Sequence, residues 1–497
     1  IIKMGCCCKT TTFILLIAAG IGLYHFYPCL FKCHDKLNLE TLKVDDWFGH
    51  EKLKANQRIP KDPVDVKPFR VNVSDADLND LQERLKRSRF IDHLQDTNFE
   101  YGFNSDYLRV VQQYWLNSYQ WRKHEKMINS YPQFITQIEG LNVHFYHIKP
   151  KTTTTNKVKT IFPILLVHGW PGSFYEYLKS IPIFTEPDSN GIAYEIILPS
   201  IPGYGYSERP HKPGFNIPAA ARMFVKLMKR LGHEKFIVHG GDWGAAISLA
   251  ISTIYPENVR GLNQVGSFFQ PSTFCDYRRM LMAYLMPKYY FGTDDWQRQW
   301  EKTFPFGEKF KYMLRETGYM HIQATKPDTV AAGLVDSPIG MAAYLLEKFS
   351  AWTHSDYMQR SDGGLVNKFT MDELLTNVMI YWTSGNIAAS QRFYLENMQN
   401  YQLTRSLMQS KVKVPASIIE PAHDIMRTPK KFLEHLYENL LQFTESNVGG
   451  HFLAFEEPKI VVENIRQFSK QLLDFEEQKR QEEQKQQQEQ QKKHDEV

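Results

Sequence analysis

An aspartate stands where a strand should hand over to a helix. Residues 236–238 are apolar, Gly240-Gly241-Asp242-Trp243-Gly244 comes next but one, and a small-residue, helix-forming segment follows. A sharp turn of this kind displays a nucleophile at the end of a sheet, and serine is its usual occupant. A carboxylate changes the chemistry. It is a poor acyl acceptor, but it can displace a leaving group from a saturated carbon and form an ester. Water must then cleave that ester, which calls for a histidine base and for N–H donors to hold an oxyanion.

The rest of the chain offers both. His168-Gly169-Trp170-Pro171-Gly172 follows the apolar run 161–167. In an α/β-hydrolase, the loop after this strand supplies one oxyanion-hole N–H and the residue after the nucleophile supplies the other. Here those donors are the backbone N–H groups of Trp170 and Trp243. His451 lies in Gly449-Gly450-His451-Phe452, after the last strand-like run. Its place fits the chain order nucleophile, acid, histidine. The acid stays open between two residues, because the run 412–419 ends in Glu420-Pro421-Ala422-His423-Asp424 and either carboxylate could orient His451. If the leaving group is an alkoxide, it needs a hydrogen-bond donor as it forms, and tyrosine hydroxyls suit that role. Composition does not say which tyrosines.

These residues need a sheet to position them. Short apolar runs at 161–167, 193–198, 236–238 and 259–265 are mostly separated by helix-length segments, the signature of a parallel sheet with crossovers. The pattern turns mostly helical from 271 to 406, and strand character returns at 412–419 and 444–448. The expectation is an α/β-hydrolase core in two parts, 151–270 and 407–475, with a helical lid at 271–406 that shields the reaction from water. Upstream, residues 36–150 form an N-terminal region around the core. It carries a helix after Ser74, an amphipathic helix over 107–128 and a hairpin over 134–148 with Gly140 at its turn. Residues 476–497 are Gln/Lys/Glu-rich and read as a polar tail, disordered or a frayed helical end. The apolar run 11–31 is roughly 20 residues, long enough to cross a bilayer. Residues 1–35 are therefore expected to be a membrane anchor, with a cleaved signal peptide as the rival reading.

The chain has 497 residues, 23% of them charged, and a net charge of +4, so no polyelectrolyte partner is implied and nucleic-acid binding has no basic cluster to rest on. The chemistry above requires no metal and no organic cofactor, and no obligate protein partner is implied. Of the six cysteines, Cys275 alone lies in the body. A lone body thiol suggests reducing surroundings such as the cytosolic side of a membrane.

Together these motifs resemble the microsomal-type epoxide hydrolases, over about residues 45 to 470. The matching stretches include Asp46-Trp47-Phe48-Gly49, His168 through Glu176, the Asp242 turn, Gly318-Tyr319-Met320-His321-Ile322-Gln323, Ser390-Gln391-Arg392-Phe393-Tyr394 and Gly449 through Pro458. The resemblance implies Asp242 as nucleophile, His451 as base and Asp424 as its partner. It also implies Tyr319 and Tyr394 as the lid pair that binds the epoxide oxygen. Mammalian members generally carry glutamate where this chain has Asp424. Insect juvenile hormone epoxide hydrolases share the family, and these motifs do not separate the two groups. The implied activity is conversion of lipophilic epoxides to vicinal diols at an endoplasmic reticulum membrane, in xenobiotic detoxification or juvenile hormone catabolism. Haloalkane dehalogenases also use an Asp-Trp-Gly turn, but they usually carry asparagine where this chain has Trp170. An inactive binder of lipophilic ligands is the rival of another class, and it would be expected to have lost one of these groups.

Overall fold

Strands that are apolar on both faces must be covered on both faces. Ile164, Leu165, Leu166 and Val167 are all fully buried, as are Ile196, Ile197, Leu198, Phe236, Ile237 and Val238. They form the centre of a nine-stranded sheet in a computed structural model that describes residues 37–51, 57–150, 158–267, 271, 274–304 and 306–495.

The strands in chain order are β1 (Lys67–Phe69), β2 (Gln133–Ile138), β3 (Leu141–Ile148), β4 (Thr160–Val167), β5 (Ile192–Pro199), β6 (Phe236–Gly241), β7 (Val259–Val265), β8 (Val412–Glu420) and β9 (Tyr437–Glu445). Their spatial order is β1-β2-β3-β5-β4-β6-β7-β8-β9. The pairs from β1 to β5 are antiparallel, and every pair from β5 to β9 is parallel. This is the α/β-hydrolase fold.

The N-terminal region packs helices α1 (Asp75–Lys86), α2 (Ser105–Asn117) and α3 (Trp121–Ile128) beside the antiparallel edge. Ser74 caps α1 by accepting from the Asp77 N–H. The single helix expected over 107–128 is two helices, because the chain leaves helical geometry at Ser118 and is extended at Gln120. The β2–β3 hairpin turns through Glu139 and Gly140, both at positive φ (+52° and +81°), as a two-residue turn matched to strand twist requires. The Asp62 carboxylate accepts from both of their N–H groups, at 2.6 and 2.8 Å.

Helix α4 (Ile217–Arg230) locks this hairpin to the core. Arg222 donates from Nε and Nη2 to the two oxygens of Glu139, both at 2.7 Å, and Lys226 adds a third contact at 2.9 Å. Helix α5 (Trp243–Ile254) follows β6. A helical insertion separates β7 from β8. It includes α6 (Gly318–Thr325), α7 (Pro338–Ala351), α8 (Met371–Ser384) and α9 (Ile387–Gln399).

Several expectations need correction. Strand β9 starts at Tyr437, well before the run at 444–448, because its edge position leaves most of its residues only half-buried and hides any apolar pattern. The polar tail takes the helical of its two expected forms and continues helix α10 (Pro458–Asp495). Gln, Lys and Glu are good helix formers, and contacts one turn apart, such as Arg480 to Glu477, support it. Cys275 is disulfide-bonded, which removes the lone-thiol argument for a reducing compartment. The apolar run 11–31 lies outside the described residues. Among the described residues, no helix is long and apolar enough to cross a membrane.

Removing Arg222 would leave the buried Glu139 carboxylate facing Lys226 alone. Arg222→Ala is expected to cost about 3 kcal/mol, because a buried charge loses its bidentate partner. Urea unfolding of the variant against the parent checks this.

Candidate active site

The turn between β6 and α5 holds Asp242 at φ +52° and ψ −128°, a backbone conformation that L side chains rarely adopt. Close packing maintains it. A Cβ at Gly244 would lie 2.0 Å from the Val167 carbonyl oxygen, and a Cβ at Gly169 would lie 2.4 Å from Asp242 Oδ1. The carboxylate is thereby pressed against the loop that follows β4. Trp170 N–H donates to Asp242 Oδ1 at 2.8 Å. Trp243 opens α5, so its N–H has no partner within the helix and lies next to Asp242 in the chain.

His451 sits between two carboxylates. Its Nε2 is 3.3 Å from Asp242 Oδ2, and its Nδ1 is 2.9 Å from Asp424 Oδ1. Of the two acids left open by the sequence, Asp424 reaches the imidazole. Glu420 is buried and accepts instead from the Ser267 hydroxyl, and burial pushes its carboxyl up to about 8. Burial opposes charge on His451, but Asp424 and Asp242 outweigh it and raise its pKa well above 6.5. The resting site therefore holds an imidazolium between two carboxylates.

Tyr319, in the first turn of α6, and Tyr394, on α9, meet above this group. Their ring centres are 5.9 Å apart at 81°. Burial, together with the nearby Asp242 charge, raises both phenols far above 10, so both keep their protons. Trp170 stacks on Tyr319 with centres 5.2 Å apart, and Trp243 meets Tyr394 edge-on at 4.8 Å. Trp170 and Trp243 thus carry the two tyrosine rings on their indoles.

The sequence reading gave no role to three residues at this site. Glu176 lines the same small cavity as Asp242 and His451, a space of about 10 Å³ with room for roughly one water. Burial pushes its carboxyl up to about 8, which keeps it neutral at pH 7. Trp352, just beyond α7, packs against Tyr319 and His451 with ring centres 5.1 and 4.9 Å away. Glu456 hydrogen-bonds the His451 loop. Glu176 and Glu456 both lie in the motif stretches, yet a carboxylate one or two turns from a catalytic residue gives no sign of which way it faces. Trp352 lay in a helical segment with no motif around it.

Comparison with known proteins gives this geometry a context. Residues 66–177 match the family model "Epoxide hydrolase N terminus", and residues 163–416 match "alpha/beta hydrolase fold". Epoxide hydrolase 1 of Sus scrofa is 41% identical over 465 residues, covering 91% of this chain and 98% of that protein. The chain belongs to the microsomal-type epoxide hydrolases. Juvenile hormone epoxide hydrolase 2 of Ctenocephalides felis is 39% identical, covering 96% of this chain and 98% of that protein. The crystal structure of juvenile hormone epoxide hydrolase from Bombyx mori superposes with a TM-score of 0.80 at 36% identity, covering 88% of this chain and all of that one. This epoxide hydrolase therefore combines the family's N-terminal region with an α/β-hydrolase core.

Two outcomes test the site's construction. Gly244→Ala should push α5 off β4, lower stability by about 1–3 kcal/mol and cut activity by about a hundredfold through displacement of Asp242. Melting and diol formation read the two effects. The second outcome concerns pH. His451 binds its proton more tightly when folded, so that stabilisation is complete below the ordinary pKa of 6.5 and fades as pH rises through the higher folded value. The melting-temperature advantage of the parent over His451→Gln should shrink as pH rises above 6.5.

Proposed function

We propose that this enzyme opens lipophilic epoxides through an ester on Asp242. The observation that carries the reading is that Asp242 is hydrogen-bonded through one oxygen to Trp170 N–H while its other oxygen lies 3.3 Å from His451 Nε2, beneath two protonated tyrosines. Tyr319 and Tyr394 donate hydrogen bonds to the epoxide oxygen. Asp242 Oδ2 attacks a ring carbon, the ring C–O bond breaks, and the alkoxide takes a proton from the tyrosine pair.

Esterification removes the Asp242 charge. His451 then loses one of the two carboxylates that hold its proton, its pKa falls, and the proton it gives up returns the tyrosinate left by ring opening to its phenol form. The neutral imidazole, oriented by Asp424, takes a proton from water as that water attacks the Asp242 carbonyl carbon. The Trp170 and Trp243 N–H groups hold the oxyanion on Oδ1. The tetrahedral species then expels the diol oxygen, which takes its proton from the imidazolium, and the Asp242 carboxyl proton passes to the freed imidazole, restoring carboxylate and imidazolium. One water is consumed and one vicinal diol leaves. The tyrosine pair favours an alkoxide over a halide as the leaving group.

Terpenoid epoxides are a second reading of the substrate, carried by juvenile hormone epoxide hydrolases at 37–39% identity. Relative rates on a terpenoid epoxide and on styrene oxide separate the two. Residues 11–31 serve in this reading as a membrane anchor that brings the body to an endoplasmic reticulum surface where such epoxides partition. Carbonate extraction of membranes holding the full chain tests that placement.

Tyr319→Phe and Tyr394→Phe should each slow ring opening by about 10²-fold, with the double variant slower still. Stopped-flow kinetics on styrene oxide reads the step. Unchanged ring opening in both single variants would remove the tyrosines from the mechanism.

A further inference from the structure

The three consecutive N–H groups around the catalytic histidine all donate to groups outside their own loop segment. Gly450 N–H donates to Glu456 Oε2 at 2.9 Å, and Phe452 N–H donates to Glu456 Oε1 at 3.0 Å. His451 N–H donates to the Trp352 carbonyl at 2.9 Å. One carboxylate thus grips the backbone on both sides of His451, and the lid holds the histidine itself.

The packing leaves the loop little room to move. A Cβ at Gly450 would lie 2.5 Å from the carbonyl oxygens of Trp352 and Thr353. Phe452 stacks on Phe349 of α7 with ring centres 4.0 Å apart and planes at 8°. Glu456 is 8% exposed, too buried for water to replace a lost acceptor readily. Both of its oxygens accept from backbone N–H groups, one on each side of His451.

We propose that Glu456 is a positioning residue for ester hydrolysis, fixing the His451 backbone so that Nε2 meets the water attacking Asp242. This rests on the aspartyl-ester reading above and divides its two steps. Ring opening uses Asp242 and the tyrosines, and no atom of the His451 loop moves a proton in it. Hydrolysis needs Nε2 aligned with both water and carbonyl carbon, and a misplacement of about 1 Å costs on the order of a hundredfold. Loosening the clamp should therefore slow the second step and spare the first.

The experiment is single-turnover kinetics of the full chain on styrene oxide, with rapid quench and mass measurement of the Asp242 adduct. It compares the parent, Glu456→Gln and His451→Gln. Glu456→Gln keeps the shape and one acceptor. It should hydrolyse the ester about tenfold more slowly, with ring opening within about twofold of the parent and visible adduct accumulation. Glu456→Asp, which keeps the carboxyl group but withdraws both oxygens, should show the same split. Adduct in His451→Gln without accumulation in either Glu456 variant overturns this inference alone. No adduct in His451→Gln overturns the aspartyl-ester reading beneath it. Equal slowing of both steps, or loss of cooperative melting in both Glu456 variants, assigns the residue to stability and also overturns the inference.

Discussion

The Asp242 carboxylate is held out of ordinary backbone geometry, with one oxygen on the Trp170 N–H and the other facing the His451 imidazolium. Removing a charge from water is expensive unless the protein returns equivalent contacts. Here the contacts differ for the two oxygens, so they are not interchangeable. One accepts from the Trp170 N–H and the other faces His451, the asymmetry on which the proposed chemistry rests. The positive φ at Asp242 and the glycines at 169 and 244 serve that asymmetry, because they let strand, helix and loop backbones crowd around one side chain.

The lid is built on the same group. Trp170 and Trp243 place N–H groups beside Asp242 in the core, and their indoles pack against Tyr319 and Tyr394 of the lid. Trp352 extends this contact from Tyr319 to His451. The aromatic layer fixes the distance between the oxygen donors above and the nucleophile below. It also excludes water, so the charges on Asp242, His451 and Asp424 act in a medium where they are felt strongly. The logic of the two steps follows. In the proposed route, a charged Asp242 keeps His451 protonated and unable to act as a base until esterification removes that charge.

What the sequence discloses depends on how local the signal is. The aspartate turn, the Trp170 loop and the Gly140 hairpin are written in short stretches whose glycines report special backbone geometry, and they could be read directly. The strands β4 and β6 were legible because their buried faces leave continuous apolar runs, and β5 because Glu195 alone interrupts its apolar run. Edge strand β9 was not, since its half-exposed faces carry no such run. Glu420 and Asp424 are both near the end of β8, and only the three-dimensional path of the loop turns one toward His451 and the other toward Ser267. The tyrosine pair was beyond composition for the same reason, since 26 tyrosines are available and helix packing selects two. Only the likeness to a family singled them out. The tail stayed open between disorder and a helical end because polarity predicts solvation, whereas the helix propensity of Gln, Lys and Glu predicts the backbone.

The central claim is that solvent oxygen enters the protein before it enters the product. A single turnover with excess enzyme in oxygen-18 water tests it directly, followed by mass analysis of the diol and of the peptide containing Asp242. The account predicts label in the Asp242 carboxylate and an unlabelled diol from that first turnover. Label in the diol, with none on Asp242, would mean that water attacks the epoxide itself and would contradict it.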